Sequence, residues 1–191
     1  GCYGDKFVAT SGRIYYSEDG TTWTEANPPQ NNGQDLLGWG EVAYGSGKYV
    51  AIKAGYSATS EDGITWTAHT LTITVELEQL CFGNNVFAAI DGSNKIAVSS
   101  DGVTWEEVTV GIDSGAGINS LTFGDGKFML ATYNSNTSQN EVTSIFTSED
   151  GKTWTKIHSF EERFQSNALC YGNGIYLMVS IYPNTEFFVS T

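Results

Sequence analysis

Four aspartates, Asp19, Asp62, Asp101 and Asp150, carry the same neighbours: a serine two positions before, a glycine directly after and a tryptophan four positions after. Carboxylates repeated in this way could bind calcium or act as the acid and base of a hydrolase. Either task requires several oxygens to converge on one point. A second chemistry needs no convergence. An aspartate opening a tight turn accepts hydrogen bonds from backbone N–H groups just ahead of it, the glycine takes positive φ, and the serine and threonine hydroxyls bind nearby backbone. The tryptophan then offers a large flat surface whose burial is worth on the order of several kcal/mol. On this reading Asp19, Trp23, Asp62, Trp66, Asp101, Trp105, Asp150 and Trp154 are structural, and the four rings are predicted at equivalent buried places.

The other reactive side chains are sparse. Cys2, Cys81 and Cys170 each stand before an aromatic–glycine pair, in a slot that elsewhere holds Ala43 or Thr122. Such a slot asks for a small buried side chain, not for thiol chemistry. An odd cysteine count argues against a closed disulfide framework. No Cys-x-x-Cys pair occurs, and His69 and His158 sit at non-equivalent points of the repeat, so neither a metal nor a cofactor is expected. A formal net charge of −13 sets aside nucleic acid and anionic lipid as partners. No apolar run reaches the roughly 18–20 residues that span a bilayer, and no charged-then-apolar leader opens the chain, so no membrane insertion is expected.

What must position these residues is a repeat. The aspartates are spaced 43, 39 and 49 residues apart, in the length range of a four-stranded propeller blade. A second phrase keeps step: "YGDKFVA" from Tyr3, "YGSGKYVA" from Tyr44, "FGNNVFAA" from Phe82, "FGDGKFML" from Phe123 and "YGNGIYLM" from Tyr171. Each sets a tight turn between two short apolar runs, the form of a β-hairpin. Over residues 118–158, "INSLTFG", "KFMLATY", "TSIFTS" and "TWTKIH" read as four successive antiparallel strands. Val42, Leu80, Leu121 and Leu169 take one phase of the first strand and the small set takes the other, as in a sheet sandwiched between two sheets. The predicted class is all-β, a propeller of four-stranded antiparallel blades. Five blades are expected, at about 1–26, 39–70, 78–110, 118–159 and 166–191, the last incomplete because "EFFVST" stops at the serine of a fifth phrase. A window of a longer chain is the alternative.

The phrase Ser-x-Asp-Gly-x-Thr-Trp resembles the Asp-box (BNR) repeat of sialidase-like β-propellers, and "YGNGxFVA" is similar to propeller repeats of bacterial surface and phage tail proteins. The commoner box has one more residue between aspartate and glycine. The resemblance implies that the box lies between third and fourth strands, on the face away from the ligand site. It also implies that sialidase catalysis needs three arginines, a tyrosine nucleophile and its carboxylate partner, whereas this chain has only Arg13 and Arg163.

Function is therefore expected on the opposite face, built by second-to-third and fourth-to-first loops. Their Asn, Gln, Ser, Asp and Tyr suit sugars or polar protein surfaces, and equally suit plain solvated loops. Trp39 lies outside the repeated phrase, with Glu41 two residues on, and its indole is placed either to stack on a sugar or to plug the channel mouth. The ligand-binding candidates are Trp39, Glu41, Tyr56, Asp91, Asn94, Tyr133, Phe164 and Tyr182. Glu41, Glu78 with Gln79, Asn119 and Asn167 fall where first strands enter the ring, as a polar cluster. Glu41, Glu78, Asp91 and Asp113 leave a glycosidase carboxylate pair formally open. The expected function is non-catalytic recognition of a carbohydrate or protein surface by an extracellular, cell-surface or virion-associated protein, as part of a larger protein or assembly. A glycoside hydrolase-like fragment and a structural spacer are the alternatives.

Overall fold

A computed structural model describes residues 1–74, 77–112, 115–134, 143–160, 166–180 and 186–190. The first sheet contains β1 (Cys2–Tyr3), β2 (Phe7–Thr10), β3 (Ile14–Ser17) and β4 (Thr24–Glu25). A two-stranded hairpin follows, β5 (Gln30–Asn31) and β6 (Gln34–Asp35). The second sheet is β7 (Glu41–Gly45), β8 (Lys48–Lys53), β9 (Tyr56–Ser60) and β10 (Thr67–Thr70), and the third is β11 (Gln79–Gly83), β12 (Val86–Ile90), β13 (Lys95–Ser99) and β14 (Glu106–Thr109). The fourth is β15 (Ala116–Gly124), β16 (Lys127–Asn134), β17 (Ser144–Ser148) and β18 (Thr155–Ser159). The fifth has three strands, β19 (Ser166–Gly172), β20 (Ile175–Ser180) and β21 (Glu186–Ser190). Every pairing within the sheets is antiparallel between sequence neighbours, so the chain is all-β and each sheet is an up-and-down propeller blade.

Neighbouring sheets meet along their first strands, β1 with β7, β7 with β11, β11 with β15 and β15 with β19. Among the described residues no strand pairing joins the fifth sheet to the first. Strand alternation sends opposite residues to opposite neighbours. On β8, Tyr49 and Ala51 pack toward the first sheet with Val8 and Ile14, while Val50 and Ile52 pack toward the third with Phe87 and Ala89. On β7, Val42 faces back and the smaller Ala43 faces forward. The core is thus divided among the junctions between sheets.

One device recurs at each junction. A Cβ built on Gly4, Gly45, Gly83 or Gly124 would stand 2.0–2.5 Å from the ring of Tyr44, Phe82, Phe123 or Tyr171 respectively. The glycine that ends one first strand is the seat for the aromatic of the next, and only a residue without a side chain leaves room for it. Each ring also tilts onto the aromatic across its own hairpin, as Phe82 does on Phe87 at 4.6 Å between centroids.

Two expectations are corrected at the ends. Trp66 and Trp105 are buried at 7% exposure and Trp154 is half-buried, but Trp23 is 43% exposed. Each inner tryptophan packs against the preceding sheet, and among the described residues no other sheet covers Trp23. Cys170 is likewise exposed, because the small-residue phase faces a following sheet and among the described residues none covers that face of the fifth. Cys2 and Cys81 do lie in junctions, and burial pushes both thiols up to about 12.

Candidate functional site

The four aspartate turns have one geometry. Asp101 Oδ1 accepts the backbone N–H groups of Val103 and Thr104, both at 2.8 Å, and the Ser99 hydroxyl at 3.0 Å. The Ser99 hydroxyl oxygen in turn accepts the Gly102 N–H at 2.9 Å. Asp19, Asp62 and Asp150 repeat these bonds at 2.7–3.0 Å. Gly102 has a φ of 76°, and a Cβ there would reach 2.5 Å from Val50 of the preceding sheet, so conformation and packing both demand glycine. The indole N–H groups of Trp66, Trp105 and Trp154 then donate to the carbonyls of Gly63, Gly102 and Gly151 at 2.9–3.2 Å.

These bonds consume the carboxylates. Backbone N–H donors from Thr153 and Lys152 bring Asp150 down to about 2, the Thr153 bond being the larger cause, and those of Thr22 and Thr21 take Asp19 lower still. At Asp62 and Asp101 desolvation opposes the shift, and the N–H bonds outweigh it. Among the described residues no three His, Cys, Asp or Glu side chains group to hold a metal ion. The aspartates stand one to a sheet, each closed on its own turn.

At the opposite end of the sheets the candidates separate. Trp39 is 2% exposed, its N–H donating to the Leu36 carbonyl at 2.9 Å, and a bridge between Gly12 and Trp39 ties the first sheet to the entry of the second. As an open stacking surface for a ligand it is excluded. The segment around Trp39 folds back over the junction, and the ring fills the space beside Ile14 and Ala26. Tyr56 is half-buried, and its hydroxyl oxygen accepts from Asn31 Nδ2 at 3.1 Å. Lys53 Nζ lies 5.5 Å from the Tyr56 ring centroid and 6.0 Å from that of Trp39, and it donates to the Leu37 carbonyl at 2.6 Å. Leu37 beside them is 44% exposed. Thus Trp39, Tyr56, Lys53 and Asn31 form one cluster, with Trp39 as its floor.

The remaining candidates lie elsewhere. Half-buried Glu41 pairs on β7 opposite Ile52. Asp91 accepts the Ser93 N–H at 2.8 Å and the Ser93 hydroxyl at 2.5 Å in the turn that also holds exposed Asn94, whose carbonyl accepts from Val110. Half-buried Tyr133 is on β16 of the fourth sheet. Phe164, Tyr182 and Asp113 lie outside the described residues. Of the polar cluster expected at the strand entries, Gln79 reaches the Asn119 backbone: its Nε2 donates to the Asn119 carbonyl at 3.0 Å and its Oε1 accepts the Leu121 N–H at 3.2 Å, stapling β11 to β15. Glu107 accepts from Thr74 through backbone and hydroxyl and from Lys95 at 3.2 Å, which lowers it to about 2, the Thr74 hydroxyl being the largest cause. Lys53 and Asn31 carry no sequence signal because their partners come from other elements.

No family model and no curated protein sequence matches the chain. Solved structures do. An ancestral GH74 enzyme aligns with a TM-score of 0.61 at 10% identity, covering 97% of this chain and 31% of that one. The extracellular domain of BT4673 from B. thetaiotaomicron aligns at 0.60 and 12%, covering 97% and 26%. The computationally designed Ika8 protein aligns at 0.56 and 11%, covering 94% and 56%. This chain therefore spans about a quarter to just over half the length of these three. At such identities the likeness shows the fold, a β-propeller. Among the described residues no helix is long and apolar enough to cross a membrane.

Proposed function

We propose that this chain is a non-catalytic recognition module of Asp-box type that binds a carbohydrate or polar protein surface at the loop end of its sheets, around Tyr56. The observation that carries this reading is the cluster of Tyr56, Asn31 and Lys53, an aromatic ring fixed by an amide and a cation beside exposed Leu37. A half-open ring presents an apolar face while the Asn31 amide and Lys53 ammonium supply donors, a combination suited to hydroxyl-rich or carboxylate-bearing ligands. The repeated carboxylates are spent on turns, and Arg13 is paired with Glu25, which supports recognition over catalysis. Likeness to an extracellular domain and a glycoside hydrolase supports placement outside the cell or on its surface and sugar-related ligands. A glycan array followed by titration of any hit tests this. Tyr56→Ala should weaken binding roughly tenfold, the usual scale for losing an aromatic contact, with an unchanged fold. Equal binding by the variant refutes the site, and turnover of aryl glycosides refutes the non-catalytic reading.

A further inference from the structure

The Tyr56 cluster holds more donors than it uses. An ammonium has three N–H donors, and that of Lys53 spends one on the Leu37 carbonyl at 2.6 Å. Among the described residues its other N–H groups meet no hydrogen-bond acceptor, and the charge rests instead 5.5 Å from the Tyr56 ring centroid and 6.0 Å from that of Trp39. Tyr56 Oη accepts from Asn31 Nδ2 at 3.1 Å, so its own O–H proton is likewise unspent. The chain has 22 acidic residues against 9 basic ones, yet the ion pairs of the described residues engage Lys6, Arg13, Lys95 and Lys152 and leave Lys53 out. Even Asp35, on the hairpin that carries Asn31, accepts from Gln30 Nε2 at 2.9 Å. Exposed Gly38 flanks the ammonium without a side chain, where a Cβ would stand 4.0 Å from Lys53 Nζ.

We infer that the ligand of this cluster is an acidic sugar, a hexuronate unit whose carboxylate pairs with Lys53 while the Tyr56 hydroxyl donates to the same ring. The inference rests on the recognition reading of the Tyr56 site and narrows it. A carboxylate only accepts, and the groups with donors to spare are a cation and a phenol; charge-assisted bonds of this kind are roughly twice as strong as neutral ones. A hexuronate ring adds what an acidic peptide side chain lacks, a rigid C–H face for the half-buried Tyr56 ring and exposed Leu37, with hydroxyls for the Asn31 amide. The whole chain carries −13, so the attraction is local to Lys53 and favours short uronate oligomers over long polyanions.

Titration calorimetry of the 191-residue chain with trisaccharides of galacturonate and of glucuronate, each beside its methyl ester, tests this. At least one free acid binds, and its ester, which keeps the ring and hydroxyls but not the charge, binds roughly tenfold or more weakly. Lys53→Gln lowers the acid to the affinity of the ester, and Lys53→Arg keeps the preference, both with the circular-dichroism spectrum of the wild type. The ester comparison uses the unaltered chain, so it decides even if Lys53→Gln unfolds. Acid and ester bound equally, with Tyr56→Ala weakening both, overturns the carboxylate inference and leaves the recognition site standing. Binding that neither Lys53→Gln nor Tyr56→Ala changes overturns the site as well. Failure of both acids to bind overturns the inference, and a glutamate-rich peptide that binds as tightly as the acids overturns the choice of a sugar.

Discussion

Trp105 and Trp23 occupy the same position of the same phrase, yet one is 7% exposed and the other 43%. Their turns match: Asp101 and Asp19 each accept two backbone N–H groups, at 2.7–2.8 Å. The difference lies in the neighbour. Trp105 packs with Ala43 and Val50 of the second sheet, whereas among the described residues no other sheet covers Trp23. The turn is thus a local property of the phrase, while burial of the ring belongs to the junction, so a repeat can be locally perfect and energetically incomplete.

The largest break of this comparison is the tryptophan itself. Trp105→Ala should cost about 3–5 kcal/mol, the range for deleting a large core aromatic. Trp23→Ala should cost about 1 kcal/mol or less, as for an exposed residue. Urea unfolding of the two variants checks this, and similar losses would mean that burial in the junction does not decide the contribution. Asp101→Ala should cost about 1–3 kcal/mol, because it leaves the Val103 and Thr104 N–H groups without their acceptor, and should leave ligand affinity unchanged. A variant that folds normally and loses binding would make the aspartate functional.

Acid unfolding sharpens the same point with a smaller effect. The folded-state values of Asp150 and Glu107 are depressed to about 2, and that of Asp19 is depressed further. Depressed carboxylates add stability that is complete above their unfolded values near pH 4 and is lost as pH falls toward 2. Melting temperature should therefore decline through that window, and Asp150→Asn should flatten the decline while lowering the plateau. A variant profile parallel to the wild type would deny the aspartate turn this role.

The repeat was legible because its signals are local. Turn residues, alternating phases and the spacing of Asp19, Asp62, Asp101 and Asp150 lie within a few residues of one another and specify the sheets directly. The seats at Gly45 and Gly83 were less legible, since the ring each receives comes from a strand about forty residues later. For the same reason the sequence does not choose between an open stacking place and a plug for Trp39, which the structure buries at 2% exposure. Standing outside the repeated phrase marked it as special, but its burial depends on Gly12 and on a returning segment whose Leu36 carbonyl accepts its N–H. The Tyr56 cluster was half legible: Tyr56 was found as a loop aromatic, whereas Lys53 and Asn31 are joined to it only by folding.

The central claim is that sheets stack by seating each first-strand aromatic on the glycine before it, and the most direct test is a pair of melting curves. Gly83→Ala and Gly172→Ala change the same position of the same phrase, neither at positive φ. A Cβ on Gly83 would lie 2.0 Å from the Phe123 ring, and on Gly172 it meets nothing within 4 Å. Measured at dilution, Gly83→Ala should lose about 1–3 kcal/mol or more to overpacking, and Gly172→Ala should match or slightly exceed the wild type. Equal losses at the two positions, or none at Gly83, would contradict the account.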